Sequence, residues 1–409
     1  MVTKLLILSI LTGIISGFFI VFYALLTKGL SFILFFGDPM KSIANLPIWY
    51  IYLVPIASIY VVNYLISKRE VIKEYGVKEI ANAVENNRFN FTISDLILKT
   101  FASALSLASG FAVGNEGPSA AIGAMIAYKF HRVLKLPKHL IKVALSIGSS
   151  SAISAIFVSP ITGIMFGIEN IAYEFVKTYA GYLITASVLA FSVASYFLEP
   201  LLFNYSSGKA LDYYYLLSTL LFIPVVTLFV YLYLLLKDKI LFFLRNRFDK
   251  HLKKYKNLLL SIISGSVIGT ILLITPYAAF SGHEVVKILI NHDFKLPLEM
   301  ILVIILLRII ATTFSLYANA IGGMFIALMS IGALIGYGFG EFSNLIFPWQ
   351  IESFYFGAIG AAVFMGVIMK LPLTAIVLAL EITYDYNIIV PTGLSVVLVG
   401  YLTQKTNPQ

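Results

Sequence analysis

The sequence predicts an all-helical, polytopic membrane protein built from two related halves, and three observations carry that prediction. The first is composition: of 409 residues, 59% are hydrophobic and 12% charged, with a mean hydropathy of +0.92. That charged share is about half the usual value for a soluble domain. The second is the length of the apolar runs, and the third is an internal duplication at about half the chain length.

The runs follow one another along the chain. Segments of spanning or near-spanning length occupy 5–27, 48–66, 92–113, 140–158, 179–203, 213–236, 257–280, 298–315 and 387–402. Each is near the roughly 20 residues that cross a bilayer core as a helix. Others, at 118–130, 160–172 and 371–383, are shorter or broken by Pro and Gly. Half-length segments need protein or water around their ends, because unpaired backbone cannot face lipid. Lys4 before the first apolar run imitates a signal peptide, but the run is long enough to be an uncleaved first helix.

Charge is sparse and uneven. The formal balance of +9 comes from 29 basic and 20 acidic residues, with much of the excess in Lys68–Lys78, Lys129–Lys142 and Lys237–Lys256. Short basic loops between membrane segments mark the cytoplasmic side. They form no folded basic face, and no nucleic-acid partner is expected. Cysteine is absent, which excludes disulfides and thiolate metal sites. The five histidines, His131, His139, His251, His283 and His292, read as residues of polar loops and match no metal-ligand spacing. No metal and no cofactor are expected.

The duplication appears in two places. Ser159–Glu169 (SPITGIMFGIE) lies over Leu371–Glu381 (LPLTAIVLALE), an offset of 212, with Pro, Thr, Ile and Glu in common. Gly114–Ala127 (GNEGPSAAIGAMIA) lies over Gly323–Gly336 (GMFIALMSIGALIG), an offset of 209, with Gly114 on Gly323 and Glu116 on Phe325. Two matches in the same order at nearly the same offset divide the chain into halves, residues 1–205 and 206–409. Duplicated halves with broken helices are a common transporter plan, with the binding site where helix ends meet near the midplane.

Within that plan Glu116 is the leading candidate residue. It stands between two glycines and a proline inside an apolar stretch, where an acid is costly and therefore a functional-site candidate. Gly114-Asn115-Glu116-Gly117-Pro118 reads as a helix start, with Pro118 in the first turn, where its missing N–H has no intrahelical partner to lose. Free N–H groups and a partial positive charge then point at whatever lies in front. Gly323-Met324-Phe325 is the matching start, so both are expected to face one point and hold an anion with partial charges, without a buried Lys or Arg.

These residues resemble the CLC family of chloride channels and proton-coupled anion exchangers over nearly the whole chain. Gly114–Pro118 is similar to the family's G-(K/R)-E-G-P motif, Gly322-Gly323-Met324-Phe325 to G-G-x-F, and the segments ending at Glu169 and Thr383 to its two Pro-led helices. The resemblance implies an all-helical homodimer with inverted repeats of broken, tilted helices and one ion pathway per subunit. It implies Glu116 as gate and proton carrier. Ionised, its carboxylate would occupy the outer anion site; protonated or displaced, it would swing away. Gly114, Asn115, Gly117, Gly323, Met324, Phe325, Tyr75 and Gly76 become the expected anion-binding residues, with Glu169 and Asn170 on a proton route.

The departures from the family pattern open alternatives. At the first motif the chain has Glu74-Tyr75-Gly76-Val77-Lys78 in place of G-S-G-I-P, so a phenol stands where a serine hydroxyl is usual. Ile326-Ala327 replace Ala-Pro, and a final helix with a pore tyrosine is not expected after Tyr401, since the sequence stops at Gln409. Asn170 cannot titrate where many exchangers carry a relay glutamate, which leaves a passive channel as one alternative. Asn115 resembles the family's fluoride-exporting branch, which leaves a fluoride/proton antiporter as another. No cytoplasmic regulatory domain is expected after the last helix.

Other classes fit less well. A cation-coupled carrier needs an acidic pocket, yet the intramembrane or near-membrane acids read as Glu116, Glu169 and Glu381, each at a helix end. No nucleophile with its base and no metal set marks an enzyme. The expected activity is transport of chloride-class halides, most simply as anion/proton antiport, in the plasma membrane.

Overall fold

The computed structural model describes residues 1–73, 92–169, 176–200, 213–249, 256–290, 297–347 and 351–406. Helices account for nearly all of it. They are α1 (Val2–Leu34), α2 (Ile48–Lys68), α3 (Ile93–Ala108), α4 (Glu116–Val133), α5 (Ile141–Phe157), α6 (Pro160–Gly167), α7 (Val176–Ala194), α8 (Tyr213–Leu244), α9 (Lys256–Ile274), α10 (His283–Ile290), α11 (Leu298–Tyr317), α12 (Phe325–Ile346), α13 (Ser353–Met369), α14 (Pro372–Thr383) and α15 (Ile389–Thr406). Among the described residues no sheet forms; the β-type contact there is a single antiparallel bridge between Gly114 and Gly323.

Helix lengths follow from punctuation in the sequence. With 33 residues, α1 runs roughly 50 Å at 1.5 Å per residue, longer than a bilayer core. The apolar run 92–113 instead gives a helix of 16 residues, opened by a capping box in which Thr92 and Asp95 bond each other's backbone N–H. It ends before Gly110, whose φ of +101° turns the chain into the Glu116 loop. Asp95, buried and 3.6 Å from Arg69, and the buried Asp385 are acids beyond the three expected. Two helices were not foreseen as spans: α12, of 22 residues, and α13, of 17, both apolar and punctuated by glycines.

Those glycines have a packing purpose. A methyl at Gly123 would strike the Gly148 carbonyl, and one at Gly332 would strike the Gly360 carbonyl. The pairs α4/α5 and α12/α13 therefore cross backbone to backbone at matched points, 123 with 332 and 148 with 360. Close approach of this kind is how helices associate in lipid, where burial of apolar surface gives no drive. After each pair the chain turns sharply: Val158 ends α5 in the left-handed region (φ 52°) and Lys370 ends α13 likewise (φ 59°), again 212 apart.

Both turns lead into a Pro-led helix, and the two helices complete each other. The Glu381 carboxylate at the end of α14 accepts from Ile161 N (3.0 Å), Thr162 N (2.6 Å), Thr162 Oγ1 (2.5 Å) and Ser159 Oγ at the start of α6. The Glu169 carboxylate, just past α6, accepts from Leu373 N (2.7 Å), Thr374 N (2.8 Å) and Thr374 Oγ1 (2.5 Å) at the start of α14. The end of each helix thus meets the start of the other, so they run antiparallel. Each carboxylate supplies acceptors for amides that a helix cannot satisfy itself and sits at the favourable end of its dipole.

Lys4 Nζ, in the first turn of α1, donates to Leu134 O in the basic loop at 3.0 Å. The far end of α1, from Ala24 to Phe32, lines an open vestibule with a volume of 670 Å³. With the basic loop facing the cytoplasm, this vestibule faces outward.

Candidate anion site

The site is made where two loops cross. Gly114 N donates to Gly323 O at 2.6 Å and Gly323 N donates to Gly114 O at 2.7 Å. This reciprocal pair forces the two following helices, α4 from Glu116 and α12 from Phe325, to begin side by side. A methyl at Gly323 would come within 2.6 Å of the Gly117 backbone nitrogen, and one at Gly114 would overlap the Glu116 carboxylate. Glycine is required at 323 because backbone fills the space, and at 114 because the Glu116 carboxylate does.

Glu116 is 1% exposed. Its carboxylate lies beside its own amide and that of Ile326, at the starts of both helices. Neither oxygen makes a hydrogen bond of ordinary geometry. That separates it from the other two expected acids, Glu169 and Glu381, whose oxygens are held by three and four donors. A buried carboxylate without hydrogen bonds of ordinary geometry is expensive to keep ionised. Helix geometry leaves the amides of Glu116 and Gly117 on one side, and of Phe325, Ile326 and Ala327 on the other, without intrahelical acceptors. Pro118 has no amide to offer, whereas Ala327, at the matching position, has one.

The other expected residues fall around this point. Asn115 is half-buried, lines the outward vestibule, and leaves its buried Oδ1 without a partner. Gly117, Gly323 and Met324 are half-buried, between fully buried neighbours. Phe325, in Glu116's matching position, is 1% exposed and packs on Phe157 with ring centroids 4.9 Å apart. Glu169 lies away from this constellation, bound to the start of α14. Tyr75, Gly76 and Asn170 lie outside the described residues.

Sequence reasoning did not single out Arg308, a buried cation behind the vestibule wall. Its guanidinium is fully buried on α11 and donates to the carbonyls of Tyr277 (3.0 Å), Ala279 (3.1 Å) and Ser281 (3.0 Å). Those three residues also line the vestibule. Among the described residues no carboxylate pairs with Arg308, so its charge stands behind the vestibule wall as a fixed positive field. The signal was available: one arginine inside the apolar run 298–315 is as anomalous as an acid there.

The histidine expectation also changes. His131 is buried on α4, with Nε2 3.0 Å from Pro137 O, and His283 opens α10 at the vestibule, with Nδ1 3.2 Å from Ser281 Oγ. Burial, and then the charge of nearby Lys287, hold His283 below the usual histidine value. It stays neutral across the physiological range and adds no charge to the mouth.

Fold and site define a polytopic membrane protein in which two inverted helix starts meet at one buried, unpartnered carboxylate. The chain belongs to the voltage-gated chloride channel family, whose model matches residues 54–405. It is similar to the H(+)/Cl(-) exchange transporter ClcA of Vibrio cholerae, 28% identical over 345 residues, covering 80% of this chain and 71% of that one. The ClcA of Cronobacter sakazakii is 27% identical over 374 residues, covering 87% and 77%. Among solved structures, a slow cyanobacterial Cl-/H+ antiporter superposes with a TM-score of 0.86 at 19% identity, over 99% of this chain and 95% of that one. A CLC-type fluoride/proton antiporter gives 0.78 at 17% identity, over 99% and 96%. Both likenesses are of fold.

Proposed function

We propose that this protein moves chloride-class halides across the plasma membrane in exchange for protons, with Glu116 as gate and proton carrier. The observation that carries the reading is the pair of unpartnered Glu116 oxygens at the junction of two helix starts. Ionised, the carboxylate competes with an anion for the amides of Gly117, Phe325 and Ile326. Protonated, it loses that attraction, leaves toward the vestibule past Asn115, and delivers its proton there. Partial charges from amides bind an anion and let it go. Gly114 and Gly323 fix the spacing, and Met324 borders the path.

Several parts of the reading extend it. The chain is divided into repeats 1–205 and 206–409, acts as a homodimer, and makes or breaks no covalent bond. Glu169, which also caps the start of α14, stays with Asn170 on the proposed proton route. Tyr75 and Gly76 are proposed as further anion ligands.

The test is purified protein in liposomes under an imposed anion gradient, with chloride, fluoride and proton movement recorded together. Uphill proton movement driven by the anion gradient supports exchange; anion flux without it reduces the protein to a passive channel. A fluoride preference is the second reading, favoured by Asn115 at the mouth. An amide there gives less positive field than a guanidinium and selects by hydrogen bonding rather than charge. On that reading Asn115→Arg shifts preference toward chloride by a few fold; an unchanged ratio removes it.

A further inference from the structure

The helix before each anion loop ends in a serine that holds the loop of the other repeat. Ser106, in the last turn of α3, accepts from Ile321 N at 3.1 Å. Ser315, in the last turn of α11, accepts from Ala112 N at 2.9 Å. Both hydroxyls are fully buried, and each spends its own proton one turn back, Ser106 on Ala102 O (2.9 Å) and Ser315 on Ala311 O (2.7 Å). The pairs 102 and 311, 106 and 315, 112 and 321, and 114 and 323 all share the offset of 209. Donor and acceptor roles are therefore fixed: the serine oxygen is left only as an acceptor, aimed at an amide two residues before the bridging glycine.

The arrangement is not fully symmetric. Ser103 Oγ also donates to Ile321 O at 3.0 Å, and because its proton is used there, the Tyr23 hydroxyl donates to it at 2.6 Å. At the matching position Thr312 Oγ1 turns back to Ile309 O at 3.0 Å. The Phe325 loop is thus gripped at both N–H and C=O of Ile321, whereas the Glu116 loop is gripped at Ala112 N–H.

We propose that Ser106 and Ser315 are positioning residues of the anion pathway, an exchanged pair of hydroxyl clasps that sets the spacing of the two helix starts and with it the anion size preference. Ser315 dominates, because it holds the loop that carries the gate. This rests on Glu116 being that gate. Removing either oxygen strands a buried amide, which relaxes by moving its loop.

The experiment compares Ser315→Ala, Ser106→Ala and a control, Ser149→Ala, in liposomes, reading the chloride-to-fluoride flux ratio and the thermal unfolding midpoint. Ser149 is equally buried and back-bonds to Leu145 O at 2.6 Å. Roughly a threefold to tenfold change in ratio is expected for Ser315→Ala, from the net free energy of one intramolecular hydrogen bond, a smaller change for Ser106→Ala, and none for the control. Ser315→Thr keeps the oxygen and is expected to keep the wild-type ratio, which tests the clasp even where the alanine variant folds poorly. An unchanged ratio in Ser315→Ala, an effect of Ser106→Ala equal to or larger than that of Ser315→Ala, or a ratio lost in Ser315→Thr overturns the proposal. Glu116→Gln in the same liposomes tests the gate by itself, so a failed gate and a failed clasp give different results.

Discussion

The loop entering α4 and the loop entering α12 share a backbone plan but carry different chemistry. Both are bridged glycine to glycine, and both lead into a helix start aimed at the same point. At the first residue one start carries a carboxylate without partners and the other a phenylalanine packed on Phe157. At the third residue one has Pro118 and the other Ala327. On the proposed reading, the two equivalent positive helix ends differ in role: Phe325 makes one a fixed wall and Glu116 makes the other a mobile competitor. A symmetric scaffold can hold an ion without directing it; the proposed gate lies in the asymmetry.

The largest effect that tests this difference is at the gate. Glu116→Gln keeps the volume and removes the titration, so proton movement is expected to disappear and flux to lose its pH dependence. On the proposed mechanism, flux in the wild-type protein is expected to rise as pH falls, because protonation would withdraw the competitor. With His283 held neutral, the vestibule histidine supplies no second titration in that range. Retained pH dependence in Glu116→Gln would sink the assignment.

Next come the two bridging glycines. Gly323→Ala meets backbone at Gly117 and is expected to cost about 1–3 kcal/mol by overpacking, lowering both yield and flux. Gly114→Ala meets the free end of a side chain and is expected to displace the carboxylate, weakening pH dependence while the fold stays intact. Equal unfolding midpoints for the two variants would contradict this contrast.

The reciprocal caps give a smaller effect, measured by thermal unfolding in detergent. Glu381→Gln and Glu169→Gln each replace charge-assisted hydrogen bonds, costing about 1.5–3 kcal/mol. Glu381 has four donors to Glu169's three, so its loss is expected to be the greater. Smallest is the paired left-handed turn. Exposed Lys370 sits at φ 59°, and Lys370→Gly is expected to raise stability by about 1 kcal/mol. At Val158, with φ 52° but 7% exposed, lost burial offsets the same gain.

Much of this architecture was legible in the sequence because it is written in local patterns. The 209 offset that laid Gly114 on Gly323 by residue type is the offset at which the two backbones bond. Pro160 and Pro372 both open helices as their position implied. What stayed hidden depends on partners far along the chain. Glu169 and Glu381 read as acids at helix ends, but that each caps the other's helix across 204 to 222 residues has no local signature. Arg308 was visible as an anomaly, yet three carbonyls from another segment make its burial tolerable. Helices α12 and α13 are apolar enough to have been read as spans; what has no local signature is the close glycine contact that joins them.

The exchanged caps also bear on how the chain is made. The amides of Ile161 and Thr162 wait for a carboxylate that emerges from the ribosome about 220 residues later. Until then these two amides lack the acceptor they have in the finished protein. The amino-terminal half is therefore expected to stay incomplete until α14 is made. Truncation before Glu381 should leave the early half open to degradation rather than stranded as a stable fragment.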